Sequence, residues 1–200
     1  GEDGAIELLQ PEIDSKFADY DTTPLTFTVD NLWRKNRRPF GGGDFGVDLN
    51  RNYPFGWNTG CSGSTNAGSN TYKGPSPASE PETQTMAAWS ADRRFAKVID
   101  YHSRGRETLW GYACPSSPID AFWEQVATAL SVASGYGGAE RPPSADGEHY
   151  QWQFGEYAAM AFLTETHDQF QPAYSSAQAE AATVWPGTLW LLDQDVPATG

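Results

Sequence analysis

His102 and Glu165 are an imidazole and a carboxylate placed where two short apolar runs end, so between them they could hold a metal ion or move a proton. Glu165 and His167 stand two apart and would share one face of a strand. With His102 they make a possible two-histidine, one-carboxylate set for a divalent ion. Upstream, Arg34, Lys35, Arg37, Arg38 and Arg51 form a basic focus in an acidic chain. Such a focus fits a local anionic ligand, or else internal ion pairing.

These groups need elements to position them. The run Phe95 to Tyr101 predicts a buried strand that brings His102 to its carboxyl end, and Ala159 to Thr164 predicts a second that does the same for Glu165. Ligands of open α/β sheets gather beyond the carboxyl ends of strands, so two separate segments point to one site. Between them, Ser117-Pro118 opens a helical pattern of Ile119, Phe122, Trp123, Val126 and Leu130 that Gly135 should close. A shorter helix is predicted over Tyr150 to Tyr157. Ser79 and Glu82 have the spacing of a capping box for a helix from about Glu80 to Asp92. Ser176 to Asp193 forms a last helical pattern that Pro186-Gly187 should kink or divide. Pro39 to Pro77 reads as long loops, with Gly41-Gly42-Gly43 a flexible turn and no phosphate loop. Strand, helix, strand order implies an α/β fold.

The 200 residues suit one domain. Hydrophobic residues make up 38%, which provides enough apolar surface for a packed core and argues against disorder. Twenty-six acidic against 13 basic residues leave a net charge of -13, which would repel nucleic acid and anionic membrane surfaces. No apolar stretch approaches a membrane span, and no signal peptide stands at Gly1. Cys61 and Cys114 are either two free thiols or a disulfide. The disulfide would stabilise by about 4 kcal/mol and imply a secreted or periplasmic home.

Longer phrases narrow the reading. Leu32-Trp33-Arg34-Lys35-Asn36-Arg37-Arg38, then Gly46-Val47-Asp48-Leu49-Asn50-Arg51-Asn52-Tyr53, resembles the zinc metallocarboxypeptidases of the carboxypeptidase A type. The resemblance continues through Thr71-Tyr72-Lys73-Gly74, Ser79-Glu80-Pro81-Glu82-Thr83, Tyr101-His102-Ser103 and Phe162-Leu163-Thr164-Glu165. It implies the C-terminal part of a catalytic domain with a mixed, mostly parallel sheet flanked by helices. It also implies release of C-terminal residues from peptides by water activated on one zinc ion. An exopeptidase must hold a free carboxylate, which a planar guanidinium grips with two parallel charge-assisted hydrogen bonds. The resemblance gives that task to Arg51 with Asn50. It makes Arg34 the cation facing the oxyanion, His102 a zinc ligand and Glu165 the general base. Ser103 matches a substrate-subsite position that a strand-end cap would equally explain. Tyr150 lies near the floor of the specificity pocket, which would suit an apolar or aromatic C-terminal residue.

The pattern also has gaps. The family's other two zinc ligands come from an upstream His-x-x-Glu motif, but no histidine precedes Arg34. The residues three places after the three histidines are Gly105, Trp152 and Phe170, so two of three expected ligands are missing. Nor does Arg141-Pro142-Pro143-Ser144 offer the phenol that closes over substrate in the family. Three explanations follow: part of a longer enzyme, whose Gly1-Glu2-Asp3-Gly4 echoes a family phrase; a pseudoenzyme that only binds peptide C-termini; or an unconventional metal site. An incomplete sheet would expose a strand edge, so an N-terminal fragment or a second copy is an expected partner.

Overall fold

The computed structural model describes residues 33–196, and its elements all fall in a compact unit that starts at Arg34. The expectation of a single domain over 1–200, and the Gly1-Glu2-Asp3-Gly4 phrase, reach into residues outside those described.

A four-stranded sheet forms the centre, with β3 (Lys97–Ser103), β6 (Met160–Thr166), β4 (Glu107–Leu109) and β5 (Glu140–Arg141) side by side in that order. β3 and β6 run parallel, β6 and β4 antiparallel, and β4 and β5 parallel. The sheet is therefore mixed and mostly parallel. A separate hairpin, β1 (Pro39–Gly41) and β2 (Asp44–Phe45), turns at Gly41, Gly42 and Gly43, whose φ angles of 84°, 64° and 92° favour glycine.

β6 is buried along most of its length, and its alternating side chains split the core in two. Met160 and Phe162 face α2 (Asp120–Ala133) and α4 (Tyr174–Asp193), packing with Trp123, Ala127, Leu130 and Leu191. Ala161 and Leu163 face the opposite way, against Tyr150 of α3 (His149–Tyr157) and Leu109. Glu165 continues this second row. On β3, Val98 packs in the α3-side cluster and Ile99 in the other, so Asp100 and His102 also belong to the α3 face.

Three local expectations need correction. α1 runs Pro81–Arg93, but Ser79 does not cap it through a capping box. Its hydroxyl donates to Glu80 Oε1 at 2.6 Å and accepts from Asn52 Nδ2 at 3.0 Å. Glu80 is fully buried and collects Asn36, Arg38 and Ser79 as donors, and these distant partners outcompete a local cap. Pro118 precedes α2 instead of opening it, because Ser117-Pro118-Ile119 forms a turn whose Ser117 N–H donates to Asp120 Oδ2 at 2.8 Å. α4 continues as one 20-residue helix through Pro186, with no division. Next to it, a Cβ at Gly187 would come 2.0 Å from Ser134 Oγ, so glycine lets α4 close on the end of α2.

Candidate active site

Both strands end two residues later than the apolar pattern indicates, so His102 and Glu165 lie inside the ladder. They are direct register partners across β3 and β6. In a parallel pair such partners project to the same side, and here that side is the α3 face. Glu107 is the antiparallel partner of Glu165 on β4, which extends the row to three titratable groups.

Burial pushes the His102 imidazole toward neutrality; Asp100 opposes this, while Arg51 and Arg34 reinforce it. Glu165 is raised above the ordinary carboxylate range, first by burial and then by Glu107, while Arg141, Arg34 and Arg51 pull it down. Its Oε2 atom is buried without a hydrogen-bond partner among the described residues. The charges of Arg34 and Arg51 are felt at both groups.

A chain of contacts joins the Asn50-Arg51 segment to the same face. These residues form a short 3-10 turn, Leu49–Arg51, opened by Asp48, whose side chain accepts the Asn50 N–H at 3.2 Å. Asn50 Oδ1 accepts the main-chain N–H of His149 at 2.9 Å. The His149 ring lies 2.7 Å from Asp100 Oδ1 through Nδ1, and Asp100 sits two residues before His102 on β3. Carboxylates only accept, so Nδ1 carries the proton and Nε2 is free to accept from Gln153 Nε2 at 2.9 Å. Gln153 in turn donates to Ser90 Oγ at 2.7 Å.

Arg51 has a side chain only 12% exposed. Its Nη1 donates to Asn50 O at 2.6 Å and pairs with Glu148 Oε1 at 2.7 Å, while Nε is buried with no partner among the described residues. Glu148 is pushed up to about 7, because burial outweighs the help of Arg51, and Asp48, Asp100 and Glu165 add to the rise. Arg34 pairs with Asp48 Oδ2 at 2.7 Å while its side chain stays 47% exposed, so it remains accessible.

The other basic residues resolve differently. Arg38 binds Glu80, and Lys35 donates to the carbonyls of Ala67 and Ser69. Internal pairing thus accounts for much of the basic focus. Ser103 Oγ donates to Phe170 O at 3.2 Å, tying the end of β3 to the loop after β6. Tyr150 is 1% exposed and its hydroxyl donates to Gly111 O at 3.2 Å, so its ring packs in the core and presents no open surface. His167 does not join His102 and Glu165: its φ is 58°, it is buried, and its ring binds Ser176 and Asp168.

Asp48, Asp100, Glu107 and Glu148 were not singled out from the sequence. Asp100 had a usable signal, since it is two residues from His102 on the same strand. Glu148 had none, because its partner lies 97 positions away in the chain.

The comparisons with known proteins bear on the family and the fold. The sequence model described as zinc carboxypeptidase matches residues 20–187, and the chain belongs to that family. A metallocarboxypeptidase A-like protein of Trichophyton verrucosum is 37% identical over 116 residues, covering 54% of this chain and 27% of its own length. Human carboxypeptidase O is 39% identical over 114 residues, covering 54% of this chain and 30% of itself. This chain thus spans less than a third of these curated relatives. Bovine thrombin-activatable fibrinolysis inhibitor, solved with a tick carboxypeptidase inhibitor, superimposes with a TM-score of 0.69 at 23% identity, over 79% of this chain and 61% of that one. The fold is that of the carboxypeptidases.

The family is zinc-dependent, and the described residues do not complete a zinc site. Among them, the one group of three metal-capable side chains with mutually close atoms is Cys61, Cys114 and Asp146. Its sulfurs are joined as a disulfide, with Cα atoms 5.6 Å apart. His102 alone cannot anchor a catalytic ion, which takes three protein ligands.

Proposed function

We propose that this chain carries the carboxylate-holding and proton-transferring half of a zinc carboxypeptidase site, and that the protein containing it releases C-terminal residues from peptides. The observation that carries the reading is the placement of His102 and Glu165 as register partners on the face reached by the Asn50–His149–Asp100 contacts.

In this reading Asn50 and Arg51 hold the substrate's terminal carboxylate. Nη1 of Arg51 is committed and Nε is buried, so Nη2, together with the Asn50 side-chain amide, is left to meet the carboxylate. Glu165 takes the proton of the attacking water and returns it to the leaving amine. Arg34 offers an accessible cation to the negative charge that develops on the carbonyl oxygen. His102 contributes a neutral imidazole. Among the described residues no second or third ligand joins it. The disulfide favours an oxidising compartment, so secretion or a periplasmic location belongs to the same reading.

The test is hydrolysis of a blocked dipeptide by protein that contains a full ligand set. Glu165→Gln should lower kcat by about 10²–10⁴-fold with little change in KM; unchanged turnover would remove Glu165 as the base. Dialysis of this chain against zinc should leave it largely metal-free, and stoichiometric retention would overturn the incomplete-site reading. Peptide acids bound but left intact by the zinc-loaded protein would favour a non-catalytic binding module.

A further inference from the structure

Two consecutive groups of one segment grip both members of the Asn50-Arg51 pair. The Glu148 carboxylate meets Arg51 Nη1, and the next main-chain N–H, that of His149, meets Asn50 Oδ1. The second contact fixes which way the Asn50 amide points. With Oδ1 occupied from the α3 side, the Nδ2 protons are turned elsewhere. The first contact fixes the roll of the guanidinium and leaves Nε buried without a partner among the described residues.

The approach is built into the backbone. Gly147 has φ 90°, and a Cβ there would lie 2.9 Å from the Arg51 carbonyl oxygen, so only glycine lets the segment come this close. Tyr53 N–H bonds back to Gly147 O at 3.1 Å. Just before it, Asp146 is fully buried, accepting from Ala113 N at 2.7 Å and Thr59 Oγ1 at 2.7 Å, while its own N–H donates to Cys61 O at 3.0 Å. The Cys61–Cys114 bridge lies against these same contacts. On the far side, Asp100 and Gln153 hold the His149 ring. The gripping segment is thus fastened at both ends.

We propose that Glu148 and the His149 amide are positioning groups for the Asn50-Arg51 pair, so that the preference of this site for a free carboxylate depends on Glu148. This rests on the reading of that pair as the carboxylate clamp. A guanidinium released from Nη1 would lose the orientation that two-point recognition needs, and small misplacements of such groups are costly. The opposite role, in which Glu148 competes with the ligand for Arg51, predicts the opposite sign.

The test uses the whole 200-residue chain and two probes, an N-acetyl dipeptide acid and its C-terminal amide, titrated by calorimetry. Wild type should bind the acid in preference to the amide. Glu148→Ala should weaken acid binding about tenfold with the amide unchanged. Glu148→Gln keeps an acceptor in the same volume and should restore most of the affinity. Glu148→Asp keeps the charge but withdraws its oxygen from Nη1; it serves as the second variant if the alanine protein does not fold, and should bind the acid at least about threefold more weakly. Acid binding by the alanine or aspartate variant at wild-type strength or tighter would overturn the proposal while leaving the clamp intact. Absence of any acid preference in wild type would instead remove the clamp, and the proposal with it.

Discussion

Two carboxylate–guanidinium pairs in this molecule have opposite characters. At the end of β6, Glu180 of α4 takes both Nε and Nη2 of Arg106, at 3.0 and 2.9 Å, plus the Tyr136 hydroxyl at 2.8 Å and the His167 N–H at 2.9 Å. With so many donors, led by Arg106, its carboxyl is held down at about 2. At the start of α3, Glu148 has the single cation Arg51, an Oε2 atom without a partner among the described residues, and near-complete burial; its carboxyl is pushed up to about 7. The first pair is satisfied and fastens a helix to a strand end. The second pairs one cation and caps α3 through a box with Gln151, whose side chain accepts the Glu148 N–H at 3.0 Å, yet it keeps one buried oxygen without a partner among the described residues. Satisfaction, more than the presence of an ion pair, separates a structural brace from a candidate site.

This contrast can be broken most sharply at Arg51. Arg51→Ala should lower affinity for a peptide acid by about 100-fold and abolish the acid-over-amide preference, as loss of a buried, hydrogen-bonded charge partner does. Arg106→Ala should leave that preference untouched in the same titration. If both variants bound alike, the distinction between brace and site would fail.

A second measurement works from the other side. Glu180→Ala removes the anchor of Tyr136, His167 and α4 and should cost about 2 kcal/mol, or roughly 4–8 °C in Tm. Water screens the half-exposed Arg106, so that arm supplies the smaller part. Peptide binding at a temperature where the variant remains folded should match wild type.

The smallest effect is on pH. Glu180 is depressed from an ordinary 4.5 to about 2, so its stabilisation is complete above pH 4.5 and is lost as pH falls toward 2. Glu148 is raised to about 7, so its contribution is present below 4.5 and is lost as pH rises through 7. Melting curves should show Glu180→Gln flattening the acid limb and Glu148→Gln flattening the limb between 4.5 and 7. Exchange of those two assignments would contradict the contrast.

Local sequence order carried much of the site and less of its support. His102 and Glu165 were legible because each follows a short apolar run, and a strand's end can be read from its own residues. The α/β class was legible for the same reason. Register was not: that His102 faces Glu165, and Glu165 faces Glu107, depends on pairing between segments far apart. The capping box at Ser79 failed because Asn52 and Glu80, one of them 27 positions away, claim the hydroxyl. Pro186 did not divide α4, which runs unbroken from Tyr174 to Asp193. Tyr150, which the resemblance sets near the floor of the specificity pocket, packs with Leu109, Ala161 and Leu163, neighbours that only the folded chain assembles. Glu148 stayed hidden because a lone glutamate before a helix looks like any other.

The register of β3 and β6 also bears on which insertions and deletions the gene can tolerate. Side chains alternate along a strand, so removing one residue within Lys97–Ser103 would turn His102 or its neighbours to the α2 side while leaving composition almost unchanged. A length change of one would not be absorbed there. The loops of residues 53–77 answer to no such parity, and length variation among natural versions of this chain should concentrate there and avoid the two strands.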